Sequence, residues 1–365
     1  MHKYLNLGKK LFPICRSLTG IGTLKTLKIL KSEMPRLQIK KIRSGTKVFD
    51  WRVPDEWNIS DAYVLDKNKK KIINFKTNNL HIVNYSSPVN KVMTKEQLLN
   101  KIYSLPKLPD AIPYVTSYYK KNWGFCENYK NVIKIKKNYK KNDKFKVVIN
   151  SKFKSNGYLN YGEIFIKGKT KKEILISTYI CHPSMANNEI SGPIVTLAIS
   201  KYFLKLKSYY SLRFIFVPET IGAISYINKN LNKMRENIVG GYVLTCIGDN
   251  RNYSYLSSKY DNSLSDIVAY ETFKKLKIKF KKYSFLKRGS DERQYNSPGV
   301  NLPIGSIMRT KYGEYPEYHT SLDNFNVVNL KGLTGGFKIV REIIKNFMYK
   351  KMSQNFSKIR KKKLI

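Results

Sequence analysis

Two textures of hydrophobic patterning divide the chain. From residue 46 to about 110 the runs are short and alternate apolar with polar positions. TKVFDWRVPDEWNISDAYVLD (46–66) and KIINFKTNNLHIVNYSSPV (71–89) are examples. Alternation at period 2, punctuated by turn residues, predicts half-buried strands. From 172 onward the apolar runs become continuous. EILISTYI (173–180), SLRFIFVPE (211–219), IVGGYVLTCIG (238–248) and NLPIGSIMR (301–309) read as strands buried on both faces. Helical patterns lie between them: SGPIVTLAISKYFLKL (191–206) with Pro193 near its start, TIGAISYINKNL (220–231) and SLSDIVAYETFKKL (263–276). A closing helix is predicted over 327–351, and a solvated basic tail after it. Strands alternating with helices predict a mostly parallel sheet with helices on both faces.

The remaining segments complete the organisation. Residues 1–35 read as helical, with TLKTLKILKSEMP (23–35) stopping before Pro35. Thr94 followed by Glu96 and Gln97 predicts a short capped helix. KFKVVINSKF (144–153) and GYLNYGEIFIKG (157–168) read as a hairpin. The expected division is a core of residues 1–45 and 111–365, with a small β-rich insertion at 46–110.

Composition narrows the setting. The chain has 365 residues, 42% hydrophobic, and a formal net charge of +44. That length supports a large core. Such a charge raises the question of a nucleic-acid or anionic-membrane partner. The lysines are scattered in short clusters such as KNKKKI (67–72), and no zinc-finger spacing or RNP motif occurs. The reading is therefore a lysine-rich composition that draws acidic partners, with no specific nucleic acid. Cys15, Cys126, Cys181 and Cys246 are widely spaced, which suits reduced thiols. No run approaches the roughly 18 apolar residues of a membrane span, and MHKYLNLGKKLFPIC lacks a signal-peptide core. A cytoplasmic protein is expected; its oligomeric state is left open.

Ligands of open α/β sheets bind outside the carboxyl ends of strands. There the chain places Cys181, His182, Asn187, Asn188 and Glu189, then Glu219, then Thr245 and Asp249. The loop RGSDERQY (288–295) adds Asp291, and MRTKYGEYPEYHTSLDN (308–324) adds Arg309, His319 and Asp323. Two of only four histidines, and many of only 25 acids, thus fall on one rim. Imidazoles and carboxylates together suit zinc, and Glu219 is the candidate general base. Structural roles are also open to each residue. His182 and His319 suit loop contacts, Glu219 a helix cap, Asp291 a clamp with Arg288 or Arg293, and the two asparagines turns. His2 and His81 are assigned to structure or solvent.

The motifs ANNEISG (186–192), PETIG (218–222) and YHTSLD (318–323) resemble the metal loop, base segment and final histidine of the zinc aminopeptidase-like superfamily. FDWRVPDEWNI, IPYVTSYYKKNWGFC, CHPSMANNEISGP, SDERQYNSPG and YGEYPEYHTSLDN are further similar to a bacterial polysaccharide-biosynthesis family with an aminopeptidase-like domain. The resemblance spans nearly the whole chain. It implies an α/β three-layer zinc-peptidase-like core with a mostly parallel mixed sheet, plus the inserted mini-domain. Some relatives continue into a C-terminal winged-helix region, before which this chain is expected to end. The departures are specific. The superfamily's first metal histidine falls near Tyr179, its bridging aspartate at Asn188, its second glutamate at Thr220 and its later aspartate at Thr245. Glu219 and His319 match outright.

One zinc ion, rather than two, is therefore expected. His182 and His319 would hold it with a third ligand, Glu189 or Asp291. The expected function is amide hydrolysis of a small-molecule, peptide or sugar-derived substrate in surface-polysaccharide biosynthesis, with Arg309 and Tyr312 binding substrate. The alternative is a catalytically degenerate protein that binds a glycan or nucleotide-sugar on the same rim.

Overall fold

The computed structural model describes residues 1–349; the predicted helix end at 350–351 and the basic tail lie outside them. The large sheet has eight strands: β1 (Gln38–Arg43), β2 (Tyr158–Ile166), β3 (Glu173–Tyr179), β4 (Ser211–Val217), β5 (Ile238–Leu244), β6 (Ser254–Leu256), β7 (Lys281–Tyr283) and β8 (Ile304–Met308). Their order is β1-β2-β4-β3-β5-β8-β6-β7. The centre, β4-β3-β5-β8, is parallel, and antiparallel pairings flank it at β1/β2, β2/β4 and β6/β8.

The continuous apolar runs are explained by burial on both faces. Every residue of β3 is buried. Ile174 and Ile176 join one core cluster, while Leu175 between them joins the other. The first cluster takes in α1 (His2–Leu11), α2 (Ile21–Glu33), α3 (Ser191–Phe203), α5 (Leu264–Lys275) and α6 (Leu330–Tyr349). The second takes in α4 (Ile221–Asn237). Full burial of one such side chain contributes about 1.5–3 kcal/mol relative to exposure, so a two-sided strand anchors both layers at once.

The N-terminal segment forms two helices rather than one continuous helical stretch. Pro13 and Gly20 interrupt it, and Gly20 has φ +95° with no room for a Cβ, which would lie 2.0 Å from Trp57 O. The irregular stretch between them carries Arg16 into the protein interior.

The expected hairpin of 144–168 is corrected by the pairing. Lys144–Lys154 belongs to a separate four-stranded antiparallel sheet, with Lys71–Asn74, Glu56–Leu65 and Val89–Thr94. Its neighbour in sequence, β2, belongs to the large sheet. Adjacency in sequence suggested the hairpin, but Lys144–Lys154 largely alternates in burial whereas β2 is buried at six successive positions, as suits strands of two different sheets. The small sheet thus draws on residues well past 110. It encloses its own core of Ala62, Val64, Ile73, Phe145 and Val147. The Thr94–Gln97 capping box forms as expected.

The small unit is sewn to the large one. Ser17 Oγ donates to Asn84 Oδ1 at 2.6 Å, and Asn84 Nδ2 donates to the Arg16 carbonyl at 2.9 Å. On the far side, Tyr114 N–H donates to the His319 carbonyl and Ser321 N–H to that of Ile112. Among the described residues no helix is long and apolar enough to cross a membrane.

Candidate functional site

β3 ends at Tyr179, and the chain passes through Cys181-His182 into a single π-helical turn, Ala186–Ile190, that opens α3. Such turns frequently mark functional sites. Asn187 and Asn188, for which a turn role was open, are buried here. The Asp323 carboxylate accepts from the amides of Asn187 (2.6 Å) and Asn188 (2.9 Å), which satisfies the free donors of the turn. Asn187 pins the turn to the end of β5: its Nδ2 donates to Asp249 Oδ2 and its Oδ1 accepts from Gly248 N–H.

Gly192 permits this docking. A Cβ there would lie 2.4 Å from Thr178 Oγ1 and 2.6 Å from Leu244 O, on either side of an existing hydrogen bond. Gly192→Ala is expected to destabilise the protein by about 1–3 kcal/mol, read as a lower urea midpoint at unchanged m-value.

His182 is the hub. Its Nδ1 lies 3.0 Å from Glu189 Oε2, and its Nε2 lies 3.5 Å from Glu219 Oε2. Its ring centre is 5.6 Å from that of His319. Tyr114 packs against both imidazoles, at 5.0 and 5.2 Å, and Tyr318 stacks on His319 at 3.9 Å. Residues 137 positions apart in sequence are thus neighbours, as the metal reading requires. Burial opposes charge on His182, but the Glu189 hydrogen bond and the charges of Glu219 and Glu189 hold it above the usual imidazole range. Burial, reinforced by His182, pushes His319 down to about 3. His319 is therefore neutral, and its Nε2 is buried without a hydrogen-bond partner.

The carboxylates divide by surroundings. Glu189 is 1% exposed and lies between His182 and the fully buried Arg16, whose Nε is 3.3 Å from Oε1. Arg16 also donates to the carbonyls of His182 (2.8 Å) and Leu11 (2.7 Å). Glu219 keeps 22% of its side chain exposed, so it alone of this pair can meet a solute. Ser290 Oγ donates to Glu219 Oε1 at 2.6 Å. Burial raises the Glu219 carboxyl, with the His182 charge acting against the rise. Asp291 accepts from Thr220 N–H at 2.7 Å through one oxygen and leaves the other buried and unpartnered. Burial, then the Glu219 charge, raises Asp291 strongly. Thr220 itself has φ +63°, a strained conformation for a β-branched residue.

Cys181 Sγ, His182 Nδ1 and a Glu189 oxygen lie within 4.8 Å of one another. These atoms are already engaged. The Glu219 amide donates to the sulfur at 3.2 Å, and Arg16 and His182 occupy Glu189. Burial raises the Cys181 thiol well above its usual range, whereas a metal needs thiolate. This trio supports the back of His182. The open face of the ring is Nε2, and a histidine ligand whose other nitrogen donates to a carboxylate is the usual second-shell arrangement.

The structure brings His182, Glu189, Glu219 and His319 together and places Asp291 against the residue after Glu219. Arg309 and Tyr312 are committed elsewhere. Arg309 donates to the Asn252 and Gly332 carbonyls and lies over Tyr253, while Tyr312 bonds Glu292 and the Gly289 amide. These contacts tie Arg309 Nε and Nη1 and the Tyr312 hydroxyl to neighbouring loops. Arg16 and Tyr114 were not anticipated. A minority arginine three residues after Pro13 was the only sequence signal for Arg16; Tyr114 gave none. Where the superfamily resemblance puts metal ligands, Tyr179, Asn188 and Thr245 bond one another instead: Asn188 Nδ2 donates to Tyr179 OH at 2.7 Å, which lies 2.5 Å from Thr245 Oγ1.

The three-layer core with a strand-end histidine and carboxylates belongs to the zinc aminopeptidase-like fold class. Within it the chain belongs to the family described as "Domain of unknown function (DUF4910)", which matches residues 5–349. It is 45% identical over 339 residues to the "Putative polysaccharide biosynthesis protein with aminopeptidase-like domain" of Clostridium acetobutylicum, across 93% of this chain and 76% of that protein. The crystal structure of a "putative peptidase" from the same species superposes with TM-score 0.90 at 43% identity, over 95% of this chain and 80% of that one. BSAP, a zinc aminopeptidase from Bacillus subtilis, shares the fold at 12% identity with TM-score 0.68, over 95% of each chain. The resemblance and the fold class read from the motifs are thereby borne out.

Proposed function

We propose that the protein is a single-zinc amide hydrolase serving surface-polysaccharide biosynthesis. The observation that carries this reading is the approach of His182 and His319 beside Glu219, with an unpartnered His319 Nε2. A zinc ion fits this donor set. His182 Nε2 and His319 Nε2 would hold it. Glu189 Oε1, Asp291 Oδ2 and Asn188 Oδ1 are all buried without a hydrogen-bond partner; Glu189 Oε1 faces the Arg16 guanidinium at 3.3 Å, so the third donor assigned here is Asp291 Oδ2 or Asn188 Oδ1. Zinc in such a site polarises the scissile carbonyl and makes water a nucleophile near neutral pH. Glu219 takes the proton from the attacking water and returns it to the leaving nitrogen. Its raised pKa suits both halves of that transfer. Ser290 fixes the carboxylate by its hydrogen bond, and Tyr114 covers the two imidazoles against bulk water.

Metal analysis of the purified protein is expected to find about one zinc per chain. His182→Ala and His319→Ala should each lose it. Asn188→Asp should tighten binding by restoring a charged oxygen, and Asp291→Asn against Asn188→Ala identifies the third donor. Assays on aminoacyl and N-acetyl-sugar amides test turnover. Protein that binds no zinc and releases no product when zinc is supplied defeats the proposal. The hydrogen-bonded Tyr179, Asn188 and Thr245 favour a second reading, a non-catalytic glycan-binding protein. In that case Glu219→Gln preserves the cellular phenotype, which a hydrolase loses even though the variant still binds its ligand.

A further inference from the structure

A cavity of about 810 Å³ opens between α4, the turn of Lys47–Val48 and Trp51–Arg52, and the segment 285–300, and its wall residue Arg293 reaches Thr220, the neighbour of Glu219. We propose that it is the subsite for the phosphate-bearing sugar portion of the substrate. The proposal rests on the hydrolase reading of Glu219 and adds the substrate class.

Three cations line the cavity, Lys259, Arg288 and Arg293, against one acid, Asp50. Among the described residues none of the three forms an ion pair. Lys259 lies over the Tyr260 ring, 5.2 Å from its centre, and Arg288 over that of Phe285 at 4.7 Å. Arg288 also donates to the Phe285 carbonyl, which holds the guanidinium while leaving its charge uncompensated. Planar guanidinium groups match phosphate oxygens in pairs. The opposite wall is apolar, with Ile224, Ile227 and Leu231 of α4.

Phe49 marks the cavity as built. It lines the space, is 42% exposed and has φ +54°. A bulky aromatic residue in the left-handed region is a conformational outlier. Its amide donates to Asn228 Oδ1 of α4 at 3.2 Å, which fastens the strained turn there. An aromatic face held at the mouth suits stacking on a sugar or base. Gln294 Oε1, on the wall, is buried and unpartnered, and a sugar hydroxyl would donate to it. The volume lies within the range of ligand pockets and accommodates a nucleoside diphosphate-sugar.

The cavity connects to the chemistry through Arg293. Its Nη2 lies 3.4 Å from Thr220 Oγ1, and Thr220 follows Glu219 directly. A sugar phosphate seated on Arg288 would extend its N-acyl group toward the Glu219 carboxylate.

Calorimetry on the full chain provides the test, with uridine diphosphate-N-acetylglucosamine, N-acetylglucosamine 1-phosphate, free N-acetylglucosamine and inorganic phosphate as probes. The phosphorylated sugars are expected to bind at least tenfold tighter than the free sugar or phosphate alone. Arg288→Ala and Phe49→Ala should each weaken them at least tenfold, with Arg288→Lys in between. Lys137→Ala, remote on the small unit, controls for diffuse attraction to the basic surface. Equal weakening by Lys137→Ala and Arg288→Ala, or no preference for phosphorylated sugars, overturns the subsite. Binding is read without turnover, so the Glu219→Gln protein must bind as the wild type does. If it binds and no variant hydrolyses any amide, the hydrolase reading fails while the subsite stands.

Discussion

Replacing Glu219 by Gln is expected to lower amide hydrolysis by about 10²–10⁴-fold, the usual contribution of a positioned general base. The fall should appear in kcat, with KM nearly unchanged. The substitution keeps the size of the side chain and an oxygen able to accept from Ser290 Oγ, now 2.6 Å away. It also leaves Asp291 on the Thr220 amide and Glu189 on His182. The fold and zinc content should therefore survive, which separates loss of proton transfer from loss of the site. A variant that retains zinc and wild-type turnover removes Glu219 from the mechanism.

Much of the core was legible because burial is written locally. The runs at 173–180, 211–219, 238–248 and 301–309 are apolar at successive positions, and each became a central strand. The imidazoles and Glu219 were legible for a different reason: strand ends collect ligands in this architecture. Pairing was less accessible. Lys144–Lys154 and β2 are neighbours in sequence, yet the distant partners Glu56–Leu65 and β4 place them in different sheets. The supporting residues were least visible. Arg16 acquires its role only when the break at Pro13 turns it under His182, and Asn187 only when Asp249 arrives beside it. Glu189 stood with Asp291 as a candidate third ligand, and the sequence did not choose between them. The partner of Glu189 on its other side, contributed from residue 16, converts it into one half of a buried ion pair.

That conversion leads to the largest expected stability effect. Arg16 and Glu189 are 0% and 1% exposed, so neither charge is relieved by water. Burial lowers the Arg16 pKa, with Glu189 opposing the shift. Removing one member of such a pair leaves a buried charge uncompensated, at a cost of about 3–5 kcal/mol. Arg16→Met should show this loss in urea unfolding, since the methionine also gives up the bonds to the His182 and Leu11 carbonyls. Glu189→Gln alone should cost less, because the amide oxygen still accepts from His182 Nδ1. In the double variant no charge is stranded, and its destabilisation should fall well short of the sum of the two. Additive losses would mean that the two side chains do not act as a pair. The double variant also isolates the orienting role. It should fold, yet bind zinc about 10–100-fold more weakly, the usual penalty for losing a second-shell carboxylate. Wild-type zinc affinity in that protein would show that the charge of Glu189 is not needed to orient His182, the remaining hydrogen bond and the Tyr114 and Tyr179 packing being enough.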